Sequence, residues 1–183
     1  MIEYRLAEEK DIPAIMALHK KFHISTIADE DREGGFITAT FSSDDLLALI
    51  GKMGCISLAF DGERLVGFVF SAAWEYWNKL ELFAYMAEHL PESAVGGVTI
   101  TDDNSYHYGP VCVDTDYRGK GILPKMFDVS KTEMRKKYDL AVTFVNVVND
   151  RSCHVHKNKL DFDVTKTFAF NDNEYYEMVF KVG

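Results

Sequence analysis

The sequence predicts a three-layer fold of the α/β (α+β) class, in which helices flank a mixed central sheet with one splayed pair of parallel strands. Three observations lead to this fold class. Two apolar runs flank Asp61-Gly62, which is typical of a tight antiparallel hairpin. A strand, a glycine-containing turn, a helix and a second apolar strand follow one another over residues 106–148, as in a parallel βαβ unit. The chain then closes with two alternating strands over residues 162–182.

Local patterns indicate the elements of the N-terminal half. Residues 2–6 alternate as a strand does, and apolar side chains recur at helical spacing over residues 11–22. A loop is expected over residues 24–40, where few apolar side chains are periodic. Ser42 or Ser43 can cap a further helix that ends near the glycines at 51 and 54. The predicted hairpin strands then comprise residues 55–60 and 64–70.

The C-terminal half begins with residues 74–90, which are rich in aromatic side chains and are predicted to form one inserted helix that contributes to the core. The strand at 106–113 is interrupted at Gly109-Pro110, and since proline donates no ladder hydrogen bond, we expect it to splay from its neighbour. A helix follows Gly121 and carries a basic run towards residue 138. The remaining predicted elements are a buried strand at 140–148, a short helix at 150–158 and hairpin strands at 162–170 and 175–182.

Composition narrows the classes of protein that this chain can represent. A net charge of -9 argues against a nucleic-acid partner and weakly favours a cationic one. No apolar run is long enough for a membrane span and no leader is recognisable, so we expect no membrane partner and a soluble, cytoplasmic location. The three cysteines are expected to be buried thiols. No linker divides the chain, so residues 1–183 are predicted to form a single domain.

The segment from Val111 to Leu123 carries the most chemical information. It reads as a strand, a charged turn and a helix start, with Arg118-Gly119-Lys120-Gly121 in the turn. The first amides of a helix have no intrahelical partner and lie at the positive end of its dipole, so they bind anions, and glycines let a phosphate approach the backbone. The turn is therefore predicted to be a phosphate site.

With the order of the elements, this turn resembles the signature of the GNAT superfamily of N-acetyltransferases, which reads Arg or Gln, two residues, Gly, one residue, then Gly or Ala. Leu123 departs from the last position and is followed by Pro124, which fits a first helical turn and leaves the preceding amides available. The resemblance implies transfer of the acetyl group of acetyl-CoA, as co-substrate, to a primary amine by direct attack. It also implies that the residues binding coenzyme A include Val111 and Val113 for the pantetheine arm, and Arg118, Gly119, Lys120, Gly121, Ile122 and Leu123 for the diphosphate.

A second segment of the family pattern reads Asn, two residues, Ala or Ser, then a Tyr seven residues after the Asn. Here Asn149 and Ser152 match it, and they are expected to help hold coenzyme A, while His156 occupies the place of the tyrosine. In the family that tyrosine is proposed to protonate the departing thiolate, and histidine can donate a proton at neutral pH. The alternative is that His156 is a surface histidine with no part in the chemistry.

The attacking amine must also lose a proton. His107 lies on the strand before Gly109-Pro110, at about the position where some family members place a base, so it is the predicted base. The alternative is a histidine satisfied by its strand neighbours, and Glu75 is the reserve base. Because direct attack needs no covalent intermediate, Cys112 and Cys153 are not expected to act as nucleophiles.

No metal is predicted. His19 and His23 are four residues apart on a helix, and residues 153–156 mix cysteine and histidine, but neither pattern has a second ligand pair.

The acceptor is expected to be a small-molecule or peptide amine. The loop with Gly34-Gly35 and the aromatic insert at 74–90 fall where the family builds its acceptor pocket. An exposed aromatic face on the insert could also pair two subunits as a homodimer. Two alternatives stay open for the activity: a non-catalytic coenzyme A-binding sensor or interaction module, and an acyltransferase that uses a longer acyl-CoA.

Overall fold

The computed structural model describes residues 1–28 and 36–183. Residues 29–35 of the predicted loop, with Gly34-Gly35, therefore lie outside the described residues. The helices and strands are β1 (Ile2–Leu6), α1 (Ile12–Phe22), α2 (Ser43–Ala48), β2 (Gly54–Asp61), β3 (Arg64–Ala72), α3 (Trp74–Trp77), α4 (Glu81–His89), β4 (Ala94–Val95), β5 (Val98–Thr99), β6 (Ser105–Val113), α5 (Ile122–Met134), β7 (Leu140–Asn146), α6 (Asp150–Lys159), β8 (Asp163–Phe170) and β9 (Asn173–Lys181).

A mixed sheet organises the described part of the chain. Its seven strands follow the order β1-β2-β3-β6-β7-β9-β8, and β4 and β5 form a separate two-stranded sheet. Strands β6 and β7 are parallel, whereas β7 with β9 and β8 with β9 are antiparallel. The parallel register comprises residues 105–107 against residues 140–142, and β6 itself continues to Val113. A mixed sheet with flanking helices and one parallel pair confirms the predicted fold class.

The chain divides into two compact units. The first unit comprises Met1–Phe70 and Gly109–Glu133, and the second comprises Ser71–Tyr108 and Met134–Gly183. Strand β6 thus contributes its first four residues to the second unit and its last five to the first. The single domain predicted for residues 1–183 stays a prediction.

Local hydrogen bonds stabilise the starts of two helices of the first unit, α1 and α2. Arg5 donates two hydrogen bonds to the carboxylate of Asp11, of 2.6 and 2.8 Å, which ties β1 to the residue that precedes α1. Ser42 caps α2, since its Oγ accepts from the Asp45 amide at 3.1 Å while the Ser42 amide donates to the Asp45 carboxylate at 2.9 Å. This reciprocal pair is the capping arrangement that a serine at a helix start favours.

Strand β3 and helix α5 approach each other closely at Gly67. A Cβ atom at this position would lie 2.9 Å from Cε of Met126 and 3.0 Å from the carbonyl oxygen of Cys112. The methionine end could move away, but the carbonyl oxygen belongs to the main chain, so the absence of a side chain at residue 67 lets β3, Cys112 and α5 pack closely.

The second unit has its own apolar core between α3, α4 and the strands β7 and β9. Burial of these side chains supplies the main stabilisation of this half. Its buried members are Trp74, Met86, Leu90, Ile100, Leu140, Val142 and Val179.

The aromatic insert differs from the prediction, because residues 74–90 form two helices instead of one. Leu80 has extended backbone angles, φ −106° and ψ 119°, so the chain leaves the helical conformation between α3 and α4. The rings of the insert pack inside the second unit: Trp74 and Trp77 are buried, and Tyr76, Phe83 and Tyr85 are half-buried. The expectation that these residues are core is confirmed for the two tryptophans, whereas the other three rings are only half-buried. None of the five is exposed, so the exposed aromatic face that motivated a homodimer is not found on them.

Two other elements depart from the sequence prediction. The β4–β5 hairpin was not predicted, although its turn, Gly96-Gly97, has the positive φ angles of 58° and 81° that favour glycine. Helix α5 ends at Met134, so the basic run of residues 135–137 lies beyond the helix and not in its last turn. Within the described residues, no helix is long and apolar enough to cross a membrane.

Candidate functional site

The predicted phosphate turn lies in the first unit, between β6 and α5. Gly119 and Gly121 have φ angles of 75° and 72°, and a Cβ atom on either would meet no atom within 4 Å. A positive φ is costly for other residues, so the backbone conformation, rather than crowding within the protein, favours glycine at both positions. Both glycines are exposed, and Gly121 directly precedes the 13-residue helix α5. This arrangement suits an anion that must reach the first amides of the helix.

Arg118 links the turn back to the strand. Its Nε donates a hydrogen bond of 2.9 Å to the carbonyl oxygen of Val113, and its guanidinium lies 5.5 Å from the ring centre of Phe22. The sequence prediction assigned backbone groups of Val111 and Val113 to the pantetheine arm. The Val113 carbonyl already accepts a bond from the arginine of the turn, so the strand end and the turn form one hydrogen-bonded unit.

The start of α5 is partly buried. Ile122 is buried and Leu123 is half-buried, and Pro124 is the third residue of the helix, within the first turn as predicted. Lys120 and Lys125 are exposed at this end of the helix. In a chain with a net charge of -9, these cations and Arg118 form a local positive region next to the helix start.

His107, the predicted base, lies in the second unit and is only 3% exposed. Its ring lies among four aromatic rings, whose centres are 4.7 Å (Phe83), 5.2 Å (Trp77), 5.4 Å (Phe144) and 5.6 Å (Trp74) away. The surroundings of His107 thus come from α3, α4 and β7, and not only from the neighbours on its own strand. The reserve base, Glu75, is exposed on α3.

His156, the predicted acid, is also buried, at 6% exposure, which contradicts the alternative of a surface histidine. Its Nδ1 lies 2.8 Å from the carbonyl oxygen of Ser152. Because a carbonyl only accepts, Nδ1 carries the proton, and in the neutral ring Nε2 then holds a lone pair. Nε2 is buried and has no hydrogen-bond partner among the described residues. Burial lowers the pKa of His156, and the bond to the Ser152 carbonyl opposes this only in part.

The second family segment forms the first turn of α6. Asn149 is the N-cap, and its Oδ1 accepts a hydrogen bond of 3.0 Å from the amide of Ser152. Ser152 is half-buried, and its Oγ lies 3.4 Å from Nδ1 of His156. The structure therefore brings Asn149, Ser152 and His156 together on one helix, as their spacing predicted.

The two candidate histidines lie on opposite faces of β6. Tyr108 follows His107 on the strand, and its ring contacts His156 at 5.9 Å and Phe162 at 5.4 Å, away from the rings around His107. Adjacent residues of a strand point to opposite faces. His107 and His156 therefore do not contact each other in the second unit.

Cys55 and Cys112 are buried as expected, whereas Cys153 is only half-buried, because it lies on the partly exposed helix α6. Burial raises the pKa of the Cys112 thiol to about 12, and burial also raises the pKa of Cys153. Since the thiolate is the nucleophilic form, neither side chain is prepared for covalent catalysis.

The prediction that His19 and His23 lie on one helix is wrong for His23, because α1 ends at Phe22 and His23 has extended backbone angles. Both histidines have structural partners. His19 Nε2 lies 2.7 Å from the Ala39 carbonyl oxygen, and His23 Nε2 lies 3.2 Å from that of Thr38. Within residues 1–28 and 36–183, no group of three or more potential ligands is placed to hold a metal ion.

The buried His156 leads to a prediction about stability. Its folded-state pKa is below the unfolded value, so the stabilising contribution is fully present above about pH 6.5 and is lost as the pH falls towards the folded pKa. We expect the free energy of unfolding in urea to decrease between pH 7.5 and pH 5 less steeply in His156→Gln than in the wild type. His154→Gln, an exposed histidine on the same helix, is the matched control and should keep the wild-type slope. Identical slopes in His156→Gln and wild type would contradict the prediction.

Comparison with known proteins adds to this geometry. The model of the acetyltransferase (GNAT) family matches residues 22–162. No curated protein matches the sequence. The solved structure of yncA from Salmonella typhimurium with its cofactor acetyl-CoA is similar over 100% of this chain and 95% of its own, with a TM-score of 0.65 and 17% identity. An N-acetyltransferase from Staphylococcus aureus Mu50 has a TM-score of 0.64 and 17% identity, over 100% of this chain and 99% of its own. The ribosomal-protein-S18-alanine N-acetyltransferase of Escherichia coli has a TM-score of 0.62 and 12% identity, over 100% and 94%.

At such identities the solved structures show the fold alone: a mixed α/β sheet of the acetyltransferase type. The family model covers most of the chain, and the chain therefore belongs to the acetyltransferase (GNAT) family. Membership of this family supports transfer of an acetyl group from acetyl-CoA as the general activity.

Proposed function

We propose that the protein transfers the acetyl group of acetyl-CoA to a primary amine by direct attack. The observation that carries this proposal is the turn of residues 118–121, in which two left-handed glycines with open space above them precede a long helix. Such a turn suits the diphosphate of coenzyme A. The proposed binding residues are Val111, Val113, the six residues 118–123, Asn149 and Ser152.

Direct attack needs no nucleophilic side chain. The amine nitrogen bonds to the carbonyl carbon of the thioester, the bond from carbon to sulfur breaks, the amine loses a proton and the leaving thiolate gains one. A pKa of about 12 for Cys112 argues against a thiolate intermediate on the enzyme. The enzyme would then contribute mainly by holding donor and acceptor together.

His107 and His156 are the two proposed proton carriers, one as acceptor and one as donor. His107 would accept the proton of the amine, directly or through water. His156 would donate to the thiolate, but its Nε2 holds a lone pair in the neutral ring, so this nitrogen must first take up a proton. A lowered pKa makes the protonated ring a stronger acid and also makes it less populated at neutral pH.

A cationic acceptor is supported by one cavity of the second unit. The cavity, of about 300 Å³, lies between α4 and the β8–β9 hairpin, and Tyr85 and Glu177 contribute to its wall. Glu177 is only 1% exposed, and its Oε2 lies 3.8 Å from the ammonium of Lys166. The wall thus already pairs the carboxylates of Glu92 and Glu177 with one primary ammonium, a chemistry that also suits an amine ligand. Small-molecule and peptide amines are both proposed acceptors; among the fold neighbours, the Escherichia coli enzyme is named for an alanine of a ribosomal protein.

A panel of amines tests the proposed function. Release of the coenzyme A thiol from acetyl-CoA is expected to exceed the amine-free blank for at least one primary amine, and the product should gain the mass of one acetyl group. Diamines, amino sugars and short peptides with free N-termini should be included, and longer acyl-CoA donors in parallel would reveal a different acyl preference. No release above the blank with any donor and amine would contradict the enzyme assignment.

A non-catalytic coenzyme A-binding module is the second candidate. Two observations favour it: His107 is only 3% exposed, and His156 has its lone pair, not its proton, at Nε2. The same panel separates the two functions, because a binding module would bind coenzyme A in calorimetry without releasing thiol.

A further inference from the structure

Asp114 is a buried carboxylate with two cationic partners in the first unit. It is the first residue after β6 and is only 2% exposed. Lys21 of α1 and Arg64 of β3 each donate to the same oxygen, Oδ2, at 2.9 Å. Burial alone raises the pKa of the Asp114 carboxyl, but the hydrogen bonds from these two cations outweigh it and lower the pKa, so the group is ionised at neutral pH.

The same residue also organises the chain that leads to the turn. Its amide donates to the Val66 carbonyl at 2.8 Å, and its carbonyl accepts from the amide of Tyr117 at 2.8 Å. Its Oδ1 lies 3.4 Å from the amide of Asp116 and caps the short 3₁₀ helix Thr115–Tyr117. Arg118 follows this helix directly. The side chain and backbone of Asp114 together determine where the turn begins.

The charges of this cluster balance each other. Arg64 also lies 3.6 Å from Asp116, an exposed carboxylate, so two cations face two anions. The cluster therefore adds little net attraction for a diphosphate. A buried carboxylate beside an anion site is useful only if it fixes geometry, because its own charge would repel the ligand.

We propose that Asp114 is a positioning residue for the diphosphate site, holding α1, β3 and the end of β6 together so that the amides of the Gly119–Gly121 turn face the ligand. This inference rests on the proposed function, since it concerns the same coenzyme A site. It differs from a direct role of Lys21 and Arg64 in binding phosphate. In that case, removing the charge of Asp114 would release both cations to the ligand and strengthen binding.

Asp114→Asn tests the inference, because it removes the charge and keeps the shape. We expect the KM for acetyl-CoA to rise on the order of tenfold, with kcat changed by less than about twofold. With S-acetylpantetheine, a donor without the diphosphate, the variant should match the wild type. The matched control is Asp11→Asn, in which another buried carboxylate of the first unit loses its pairing with Arg5. This control should leave the KM for acetyl-CoA unchanged.

Several results would overturn the inference: an unchanged or lower KM for acetyl-CoA in Asp114→Asn, an equal rise in Asp11→Asn, or an equal loss with S-acetylpantetheine. If Asp114→Asn does not fold, Asp114→Glu replaces it, since it keeps the charge that pairs with Lys21 and Arg64 and changes only the length of the side chain. It should raise the KM for acetyl-CoA alone, and an unchanged KM overturns the inference. A wild type that fails to bind coenzyme A in calorimetry removes the proposed function as well, whereas normal binding by wild type and Asp114→Asn alike removes only the positioning role.

Discussion

Gly121→Glu is expected to abolish coenzyme A binding, with a dissociation constant at least about 100-fold above that of the wild type. The new side chain would lie at the start of α5, where its carboxylate competes for the helix amides and repels the diphosphate. Isothermal titration calorimetry with coenzyme A measures the effect directly. Arg118→Glu should act in the same direction, because it also replaces the bond from Arg118 to the Val113 carbonyl by a negative charge.

The turn of the β4–β5 hairpin offers the matched control. Gly97 has a φ of 81°, against 72° for Gly121, and a Cβ atom at either position meets nothing within 4 Å. Gly97→Glu therefore carries a similar cost of about 1–2 kcal/mol for a left-handed residue. If Gly97→Glu binds coenzyme A normally and Gly121→Glu does not, the loss comes from the anion site and not from backbone strain. Equal binding by both variants and wild type, with the fold intact, would remove the coenzyme A assignment of the turn.

His107→Phe is expected to reduce turnover at pH 7 by on the order of 100-fold or more, if His107 is the base. Phenylalanine fills the space among the four surrounding rings, whereas His107→Ala would leave a cavity and confuse lost packing with lost chemistry. Turnover should partly recover as the pH rises, because an acceptor amine with a pKa of ~10.4 then loses its proton to the solvent and needs no base on the enzyme.

The measurement is a pH profile of kcat and kcat/KM with an amine identified in the panel. His154→Phe, on the exposed side of α6, controls for the exchange of a histidine for a larger ring and should match the wild type. Wild-type turnover by His107→Phe at every pH would rule out the base and leave His107 as a packing residue of the aromatic cluster.

Elements with short-range signals could be predicted from the sequence. The Asp61-Gly62 turn predicted the β2–β3 hairpin, and the alternating strands of residues 162–182 predicted the β8–β9 hairpin. Its turn residues Asn171 and Asp172 have positive φ angles of 45° and 59°. The serine pair Ser42-Ser43 predicted the start of α2, and Ser42 is the cap, because this motif depends on residues only three positions apart. The turn proposed to bind phosphate is equally local, so the amino-acid sequence alone is enough to recognise its glycines, and both have the positive φ angles that favour glycine.

Features that depend on distant contacts could not be predicted in this way. Lys21 and Asp114 are 93 positions apart, and no periodicity links a lysine of α1 to the residue after β6. His156 is buried by the rings of Tyr108 and Phe162, which come from other elements, so the residues around His156 in α6 do not indicate its burial. The break between α3 and α4 at Leu80 was also not predicted, because a leucine gives no local signal that a helix ends.

The close approach at Gly67 has a consequence for how this sequence can vary. Since a Cβ atom there would press on Met126 and on the main chain of Cys112, the sizes of residues 67 and 126 are coupled. A relative with alanine or serine at position 67 should carry a smaller side chain at position 126, or a shifted α5. Covariation of positions 67 and 126 in related sequences would then indicate how closely α5 packs on the sheet.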